Sequence, residues 1–380
     1  MDLYLFNPDN DMALANGSSF YQPPQSIIDM TNDLCELPLW YKNEGDTLLN
    51  SSLHLSPDDH LRPWGWNHAL LKQAEGLGIP NLPTTGEIDA WRNLSHRTTS
   101  SHILKELTDE IPECIGLSEA VNDIDTLRKF VADHPETILK APWSGSGRGL
   151  ETIIGSLSYP MERWAQRIIR TQQYVMCEPL YDKVCDFAME FLASADKKVH
   201  FTGFSLFRTN GYHVYTGNVL ADDTDILNYL TQYVHKDIIE SVSHKLEQIL
   251  SETLHDSNYQ HYIGVDMMIC KINDKYYLHP CVEMNLRMNM GMLTHIIYER
   301  QVSTNSGGFF NVDYYRSSTA LNTYHQHMLE TFPIKRDEAG LITEGYLSLT
   351  SVKKDTHYQA MILVTPKEND LMNYFKKGTI

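Results

Sequence analysis

The sequence predicts a mixed fold of the α+β class, and three observations support this prediction. Apolar stretches with a period of two are mixed with stretches that have helical spacing. The turn sequences Asn210-Gly211 and Asn273-Asp274 each join two apolar stretches, as in a β-hairpin. Strands and helices do not alternate in the regular order of a parallel βαβ fold. We therefore expect antiparallel sheets with helices packed on them.

The predicted elements run in order through three regions of the chain. Residues 1–92 are expected to form an N-terminal α/β domain, residues 93–176 a central subdomain, and residues 177–380 a C-terminal subdomain. The predicted strands are 3–6, 137–140, 150–154, 174–178, 187–193, 199–207, 212–218, 345–350 and 360–364, and two more that the Asn273-Asp274 turn joins within residues 262–291. The predicted helices are 67–76, 95–107, 123–133, 159–172, 225–254 and 320–330.

Composition excludes several classes of function. The 380 residues are 42% hydrophobic and 21% charged, which is ordinary for a globular protein. The formal net charge of −18 disfavours nucleic acid and anionic membranes as partners. No stretch approaches the roughly 18 apolar residues that span a bilayer, and the N-terminus lacks a signal-peptide pattern. The six scattered cysteines form no CxxC pair, so we expect free thiols in a cytoplasmic protein.

Three polar residues lie on one predicted strand near the end of residues 262–291. Glu283, Asn285 and Arg287 are spaced by two, so their side chains project from the same face of an extended strand. Asp266 lies on the partner strand of the same predicted hairpin. Carboxylate and amide oxygens bind Mg²⁺ together with substrate phosphates. A solvated strand face with an ordinary ion pair is the alternative.

A glycine-rich loop joins two predicted strands between Lys140 and Leu150. Its loop residues are Ser144, Gly145, Ser146, Gly147, Arg148 and Gly149. Such a backbone can approach a phosphate closely. The spacing is not that of a Walker P-loop, and no helix follows as in a Rossmann turn. The loop is therefore predicted to be a flap over phosphates, with Lys140 pointing inward as a compact positive charge. A surface lysine beside a flexible hairpin is the alternative.

The segment from Glu178 to Asp186 offers groups that could hold a nucleoside. A strand that stops at Pro179 leaves backbone groups unpaired, and those of Glu178, Pro179 and Leu180 could bind an adenine. Glu178 could also accept a hydrogen bond from an amino group, and Asp186 from ribose hydroxyls. Solvated turn carboxylates are the more ordinary explanation.

Two further spots are weaker candidates for a substrate site. Asp9 and Asp11 follow the first strand, where loops commonly bind ligands, and either could hold an ammonium group. His213 and Asn218 lie in the 212–218 strand and are candidates for the substrate side. A solvated turn and a half-buried hairpin face are the respective alternatives.

Taken in order, these pieces resemble the ATP-grasp superfamily, which includes D-alanine–D-alanine ligase, glutathione synthetase and biotin carboxylase. The resemblance covers about residues 90–300. Lys140 and the glycine loop match the nucleotide lysine and flexible loop, and Tyr174–Leu180 matches the adenine hinge. Asp186 falls at the ribose-binding acid, although glutamate is commoner there. Arg97 stands where the family often has a second lysine.

The resemblance also extends to the polar strand. Asp266, Glu283 and Asn285 match the magnesium ligands, and Glu283–Arg287 is close to the E-x-N-x-R version found in carboxylases and related ligases. There the arginine, here Arg287, faces the reacting phosphate or substrate. Together with Lys140 it is the expected catalytic pair.

The resemblance implies an ATP-grasp ligase that uses ATP and two Mg²⁺ ions, with Mn²⁺ as a substitute. A small-molecule or peptide carboxylate would become an acyl phosphate, and an amine acceptor would displace phosphate to form an amide. Replacement of Lys140 by alanine is expected to weaken nucleotide binding without unfolding the protein. A phosphotransferase acting on a small molecule and a non-catalytic nucleotide-binding protein are the alternatives. A homodimer is left open as the oligomeric state.

Overall fold

The computed structural model describes residues 1–50, 53–144, 149–211, 214–368 and 370–377. Its strands are β1 (Asp2–Leu5), β2 (Thr47–Leu48), β3 (His60–Pro63), β4 (Glu119–Val121), β5 (Glu136–Lys140), β6 (Leu150–Ile154), β7 (Val175–Pro179), β8 (Asp182–Ala193), β9 (Val199–Thr209), β10 (Tyr215–Leu220), β11 (Tyr262–Ile272), β12 (Lys275–Asn285), β13 (Ser306–Tyr314), β14 (Lys335–Arg336), β15 (Ile342–Ser348) and β16 (Tyr358–Pro366).

Its α-helices are α1 (Asn10–Asn16), α2 (Gln25–Leu34), α3 (His68–Gly76), α4 (Thr85–Leu94), α5 (Arg97–Glu110), α6 (Ile124–Asp133), α7 (Tyr159–Gln172), α8 (Asp223–Leu230), α9 (Lys236–Leu254), α10 (Met290–Gln301), α11 (Ser318–Thr331) and α12 (Asn373–Lys377). A short 3-10 helix spans Leu37–Trp40.

Three sheets organise the described residues. The N-terminal sheet is parallel, with the order β2-β1-β3. The small sheet is antiparallel and has the order β4-β7-β5-β6. The large sheet is antiparallel and has the order β12-β11-β8-β9-β10-β13-β16-β15-β14. The prediction of antiparallel sheets with an N-terminal α/β unit is therefore confirmed.

The small sheet has one face covered by helices and one face that carries charge. Leu139 and Cys177 pack against α6 and α7 in an apolar cluster, because their side chains point away from those of Lys140 and Glu178. Lys140 and Glu178 therefore share the opposite face. The predicted boundary after residue 176 falls inside β7, which pairs with β5 as far as Pro179. We propose that the central subdomain extends to Pro179.

The large sheet carries most of the polar residues of interest on a single face, which we call the acidic face. Three rows of paired residues cross β12, β11, β8 and β9 there: Asn285, Gly264, Glu190 and Gly203; Glu283, Asp266, Ala188 and Ser205; and His279, Met268, Asp186 and Phe207. The alternate residues Phe187, Met189 and Val265 point to the other face and join the main hydrophobic core with α8 and α9. This alternation places the carboxylates together.

Helix α10 packs on the acidic face over the row that contains Gly264 and Gly203. Two glycines make this close approach feasible. A Cβ atom on Gly264 would lie 2.5 Å from the Nδ2 atom of Asn289, and one on Gly203 would lie 2.3 Å from a ring atom of His295. The sequence analysis does not predict α10, because residues 291–298 are all buried and the helix has no amphipathic period.

The sequence prediction of one long helix over residues 225–254 is wrong. The structure has α8 and α9 separated by a turn. The His235 side chain accepts a hydrogen bond from the Asp237 amide, so a new helix begins there. Strand β13 and helices α2 and α4 were also not predicted, whereas the predicted helix 159–172 coincides with α7.

Candidate functional site

The acidic face of the large sheet and the charged face of the small sheet meet at one site. The Glu283 carboxylate lies within electrostatic reach of Lys140 from the small sheet and of Arg97, Arg287 and Asp11 from other elements. Burial raises the pKa of Glu283, the three cations lower it, and Asp11 raises it further. Residues more than 180 positions apart in the chain are thus brought together around one carboxylate.

Arg97 connects the glycine loop to the predicted metal strand. It begins α5, and its side chain is 7% exposed. Its Nη2 atom lies 2.8 Å from Oε2 of Glu283 and donates to the carbonyl of Ser144 at 3.1 Å, while its Nε atom donates to the carbonyl of Ala141. Arg97, which was predicted to bind the nucleotide, therefore forms an ion pair with Glu283, which was predicted to bind the metal. This cation partly offsets the negative charge of the acidic face.

Arg287 is held by a bidentate contact with the N-terminal domain. Its Nε and Nη2 atoms each donate to one oxygen of Asp11, both at 2.8 Å. Nη2 also donates to Oδ1 of Asn285 at 3.0 Å, and Nη1 donates to the carbonyl of Met288. A two-point contact of this kind fixes the plane of the guanidinium. Asp11 was predicted to hold a substrate ammonium, and the structure places it on Arg287. Asp9 lies just before α1, and burial raises its pKa.

Lys140 and Glu178 form a buried ion pair in the small sheet. The Lys140 Nζ atom lies 2.5 Å from Oε2 of Glu178, and both side chains are about 5% exposed. The hydroxyl of Ser118 donates to the other carboxylate oxygen at 3.0 Å. Both oxygens of Glu178 are thus occupied, which argues against its predicted bond to an amino group.

The backbone around Pro179 also differs from the prediction. The Leu180 amide was expected to be unpaired, but it donates to the carbonyl of Glu136 at 2.8 Å. It is therefore not available to a nucleobase in this arrangement. Pro179 closes the pairing of β7 with β5.

Asp266 and Glu283 oppose one another directly across β11 and β12. Burial, followed by the neighbouring Glu283 carboxylate, raises the pKa of Asp266 to about 7, while Arg287 and a hydrogen bond from Asn285 act in the opposite direction. Two adjacent half-buried carboxylates repel one another, and a divalent cation would remove this repulsion. The donor set of two carboxylates and one amide oxygen fits Mg²⁺. Within the described ranges, no three His, Cys, Asp or Glu side chains form a group that could hold a metal ion by themselves.

Asp186 and Asn218 lie on or beside the acidic face but are engaged with protein groups. Asp186 lies 2.5 Å from Nζ of Lys183 and accepts a hydrogen bond from Thr209 at 2.8 Å. Asn218 is 1% exposed and donates to Ser205, so it does not face an open substrate site. The predicted site residues Gly145, Ser146, Gly147, Arg148 and His213 lie outside the described residues.

A cleft opens beside Arg287 between the N-terminal domain and the polar strand. Its walls include Asp11, Trp143, Ser144, Glu283 and Arg287. The sequence analysis did not select Trp143, Ser118 or Glu190. Trp143 directly precedes the glycine loop, and this position could have indicated that it lies near the site. Glu190 looks like an ordinary charged residue of a strand, and no neighbouring sequence motif marks it as part of a site.

Comparisons with known proteins identify the fold. No protein-family model matches the sequence, and no curated protein matches it. The solved structures that resemble it include N5-carboxyaminoimidazole synthetase from Staphylococcus aureus in complex with ADP, at 10% identity and a TM-score of 0.50, covering 99% of this chain and 95% of that one. Biotin carboxylase from Campylobacter jejuni has 12% identity and a TM-score of 0.52, with 99% and 90% coverage.

A third similar structure is N5-carboxyaminoimidazole synthase from Aspergillus clavatus in complex with ADP and 5-aminoimidazole ribonucleotide. It has 9% identity and a TM-score of 0.53, and the match covers 99% of this chain and 96% of that chain. All three are ATP-grasp enzymes. The present chain therefore has the ATP-grasp fold. None of the helices in the described part of the chain combines the length and apolar character needed to cross a bilayer.

Proposed function

We propose that this protein is an ATP-dependent ligase that activates a small-molecule or peptide carboxylate as an acyl phosphate and transfers the acyl group to an amine. The observation that carries the proposal is the setting of the Glu283 carboxylate, which pairs with Arg97 at 2.8 Å and whose pKa the nearby cations Lys140 and Arg287 also lower. Three cations beside two adjacent carboxylates suit a triphosphate together with a divalent metal. The names of the similar structures, which include complexes with ADP, support a nucleotide as the ligand.

The proposed roles follow from the positions of the side chains. Asp266, Glu283 and Asn285 would hold two Mg²⁺ ions, which when bound would neutralise charge on the β- and γ-phosphates of ATP. Lys140 and Arg97 would lie against phosphate oxygens, and the glycine loop would cover them. Arg287 would present its guanidinium to the carboxylate or phosphoryl oxygens in the cleft beside Trp143.

Catalysis would depend on orientation and charge rather than on a covalent nucleophile. The residues around Glu283 are buried or half-buried, so their charges act with little screening by water. The substrate carboxylate would attack the γ-phosphorus, and ADP would leave. The amine would then attack the acyl carbon and release phosphate. Exclusion of water by the loop would protect the acyl phosphate from hydrolysis.

The first experiment measures nucleotide binding by isothermal titration calorimetry with AMP-PNP, with and without Mg²⁺. The wild-type protein should bind AMP-PNP in a Mg²⁺-dependent manner, and Glu283→Gln should lose that dependence because one carboxylate ligand is removed. The matched control is Glu344→Gln, which changes a carboxylate of the same sheet that pairs with Lys335 at an exposed position. Wild-type protein without any Mg²⁺-dependent binding would disprove the proposal.

A second measurement separates a ligase from a phosphotransferase. Mixtures of amino acids, peptides and other carboxylates are supplied with ATP, Mg²⁺ and hydroxylamine. Hydroxylamine is an amine and traps an acyl phosphate as a hydroxamate, so a ligase should form hydroxamate and ADP in equal amounts. ADP with a stable phosphorylated product would indicate a phosphotransferase instead. We also propose a cytoplasmic location, since all six cysteines are free and five of them are buried.

A further inference from the structure

Glu190 is a fully buried carboxyl that the proposed mechanism does not use. It lies on β8 in the acidic face, opposite Gly264 and Gly203, and is 1% exposed. Within the described part of the chain it forms no ion pair with lysine, arginine or histidine. Burial is the main cause that raises its pKa to about 8, while hydrogen bonds from Asn289 and Ser205 oppose this shift. A buried carboxyl without a cationic partner is costly, so its presence calls for an explanation.

The surrounding backbone is shaped to accommodate this carboxyl. A Cβ atom on Gly291 would lie 2.3 Å from Oε1 of Glu190, and one on Gly264 would lie 3.0 Å from Oε2. Any larger residue at position 291 would displace the carboxyl or the helix. The first turn of α10 and strand β11 therefore leave room for the Glu190 side chain and for little else.

Hydrogen bonds connect Glu190 to the start of α10. The Nδ2 atom of Asn289 donates to Oε2 of Glu190 at 2.7 Å. The Oδ1 atom of Asn289 accepts from the Met292 amide at 2.9 Å and so caps α10. Glu190 thus fixes the rotamer of the capping side chain, with one amide hydrogen bound to the sheet and the amide oxygen bound to the helix.

The capped end of α10 lies two residues after Arg287. The Met288 amide donates to the carbonyl of Trp64, and the Met288 carbonyl accepts from Nη1 of Arg287 at 3.1 Å. The segment 287–289 is therefore held on the N-terminal side by Trp64 and Asp11 and on the helix side by Asn289. On the helix side, Glu190 holds this segment through its hydrogen bond with Asn289.

We propose that Glu190 is a positioning residue, which holds the segment 287–289 and thereby the guanidinium of Arg287 in its orientation toward the cleft. The structural part of this inference stands on the hydrogen bonds above. Its consequence for activity rests on the proposed function, in which Arg287 contacts the phosphoryl or carboxylate oxygens. Removal of the hydrogen-bond partners that orient metal-binding side chains typically costs about 10–100-fold in affinity or activity, and we expect an effect of that order for Glu190.

The first test needs no nucleotide and follows the Arg287 side chain by NMR. In the wild-type protein, the Nε–H of Arg287 should exchange slowly with water, because it is bonded to Asp11. Glu190→Ala should increase this exchange at least tenfold, whereas Glu190→Gln should restore it, since glutamine keeps an oxygen that accepts from Asn289. The control is Gln359→Leu, which alters another buried polar side chain of the same sheet far from Arg287. Unchanged exchange in Glu190→Ala, or equal acceleration in the control, would overturn the proposal.

The second test measures the coupling of the two side chains in binding of Mg²⁺–AMP-PNP. Glu190→Ala should weaken binding about tenfold, but in the Arg287→Met background it should weaken binding less than about twofold, because its effect passes through Arg287. Additive effects would disprove this inference and would mean that Glu190 acts on the fold in general. Absence of binding by the wild-type protein would disprove the proposed function instead, and the NMR result would still decide the role of Glu190.

Discussion

The charged face of the small sheet and the acidic face of the large sheet, which we call the paired wall and the acidic wall of the site, balance their charges in different ways. On the small sheet, Lys140 and Glu178 have opposite signs and form a close pair. On the large sheet, Asp266 and Glu283 have the same sign and lie opposite one another, and the pKa of Asp266 is raised to about 7 by burial and by Glu283. The first wall balances its charge with groups of its own sheet. The second wall depends on cations from elsewhere.

A bound ligand would therefore stabilise the acidic wall more than the paired wall. Arg97 from α5 approaches Glu283, and Arg287 is shared between Asp11 and Asn285. These cations lower the pKa values of Asp266 and Glu283 but do not outweigh burial, which is the largest cause that keeps both raised. A divalent cation with a triphosphate would complete the charge balance there. The paired wall has no such need, and a change to one partner should instead affect folding.

The largest effect is expected from breaking the paired wall. Glu178→Leu leaves the Lys140 ammonium buried without its partner and should lower the free energy of unfolding by about 3–5 kcal/mol. The double variant Lys140→Met/Glu178→Leu removes both charges and should recover most of that loss. Urea unfolding of the ligand-free protein measures both. A double variant no more stable than Glu178→Leu would contradict the interpretation.

The same prediction revises an expectation from the sequence. Lys140→Ala was expected to leave folding unaffected, but the structure shows that it would leave the Glu178 carboxylate buried beside Ser118 alone. We therefore expect Lys140→Ala to be destabilised as well. The control is Asp109→Asn, which breaks the exposed ion pair between Asp109 and Lys105 and should leave stability nearly unchanged.

An intermediate effect of opposite sign is expected on the acidic wall. At pH 8 Asp266 is ionised at a cost, so Asp266→Asn should raise the free energy of unfolding by about 1–3 kcal/mol without Mg²⁺. The same variant should lose the stabilisation that Mg²⁺–AMP-PNP confers on the wild type. Asp313→Asn is the control, because burial also raises the pKa of Asp313 but no carboxylate of the described residues contributes to this shift. Melting curves with and without ligand test this, and a less stable Asp266→Asn would refute it.

The smallest effect concerns pH and Glu190. Its pKa is about 8 in the folded protein and near the usual 4.5 when unfolded, so the native state binds about one more proton between these values. Stability from this group is present at low pH and is lost as pH rises toward 8. Between pH 6 and 7, the wild type should lose about 1.4 kcal/mol relative to Glu190→Gln. Urea unfolding at both pH values measures the difference, and parallel pH profiles would rule out the expected titration.

Local patterns were sufficient for much of the fold. The predicted helix 123–133 is confirmed as α6, which Asp123 caps because its side chain accepts from the Thr126 amide. The turn Asn273-Asp274 joins β11 and β12, and both residues have the positive φ angles that such a tight turn requires. Local patterns did not predict the elements whose side chains are buried on all sides or whose ends depend on a single residue. Helix α10 has no polar face to reveal its period, and the break between α8 and α9 depends on one capping histidine.

The alternation of side chains along a strand was the part of the site that the sequence by itself determined. Glu283 and Asn285 must share a face of their strand, since successive residues of a strand point in opposite directions. A register shift between Asp266 and Met268, which the sequence did not reveal, then sets Asp266 opposite Glu283. The tertiary structure alone decided the partners. It placed Asp11 on Arg287, Arg97 on Glu283, and Glu190 beneath the start of α10, because these contacts join segments that are far apart in the chain. Their charges become partners only when the sheets and helices pack.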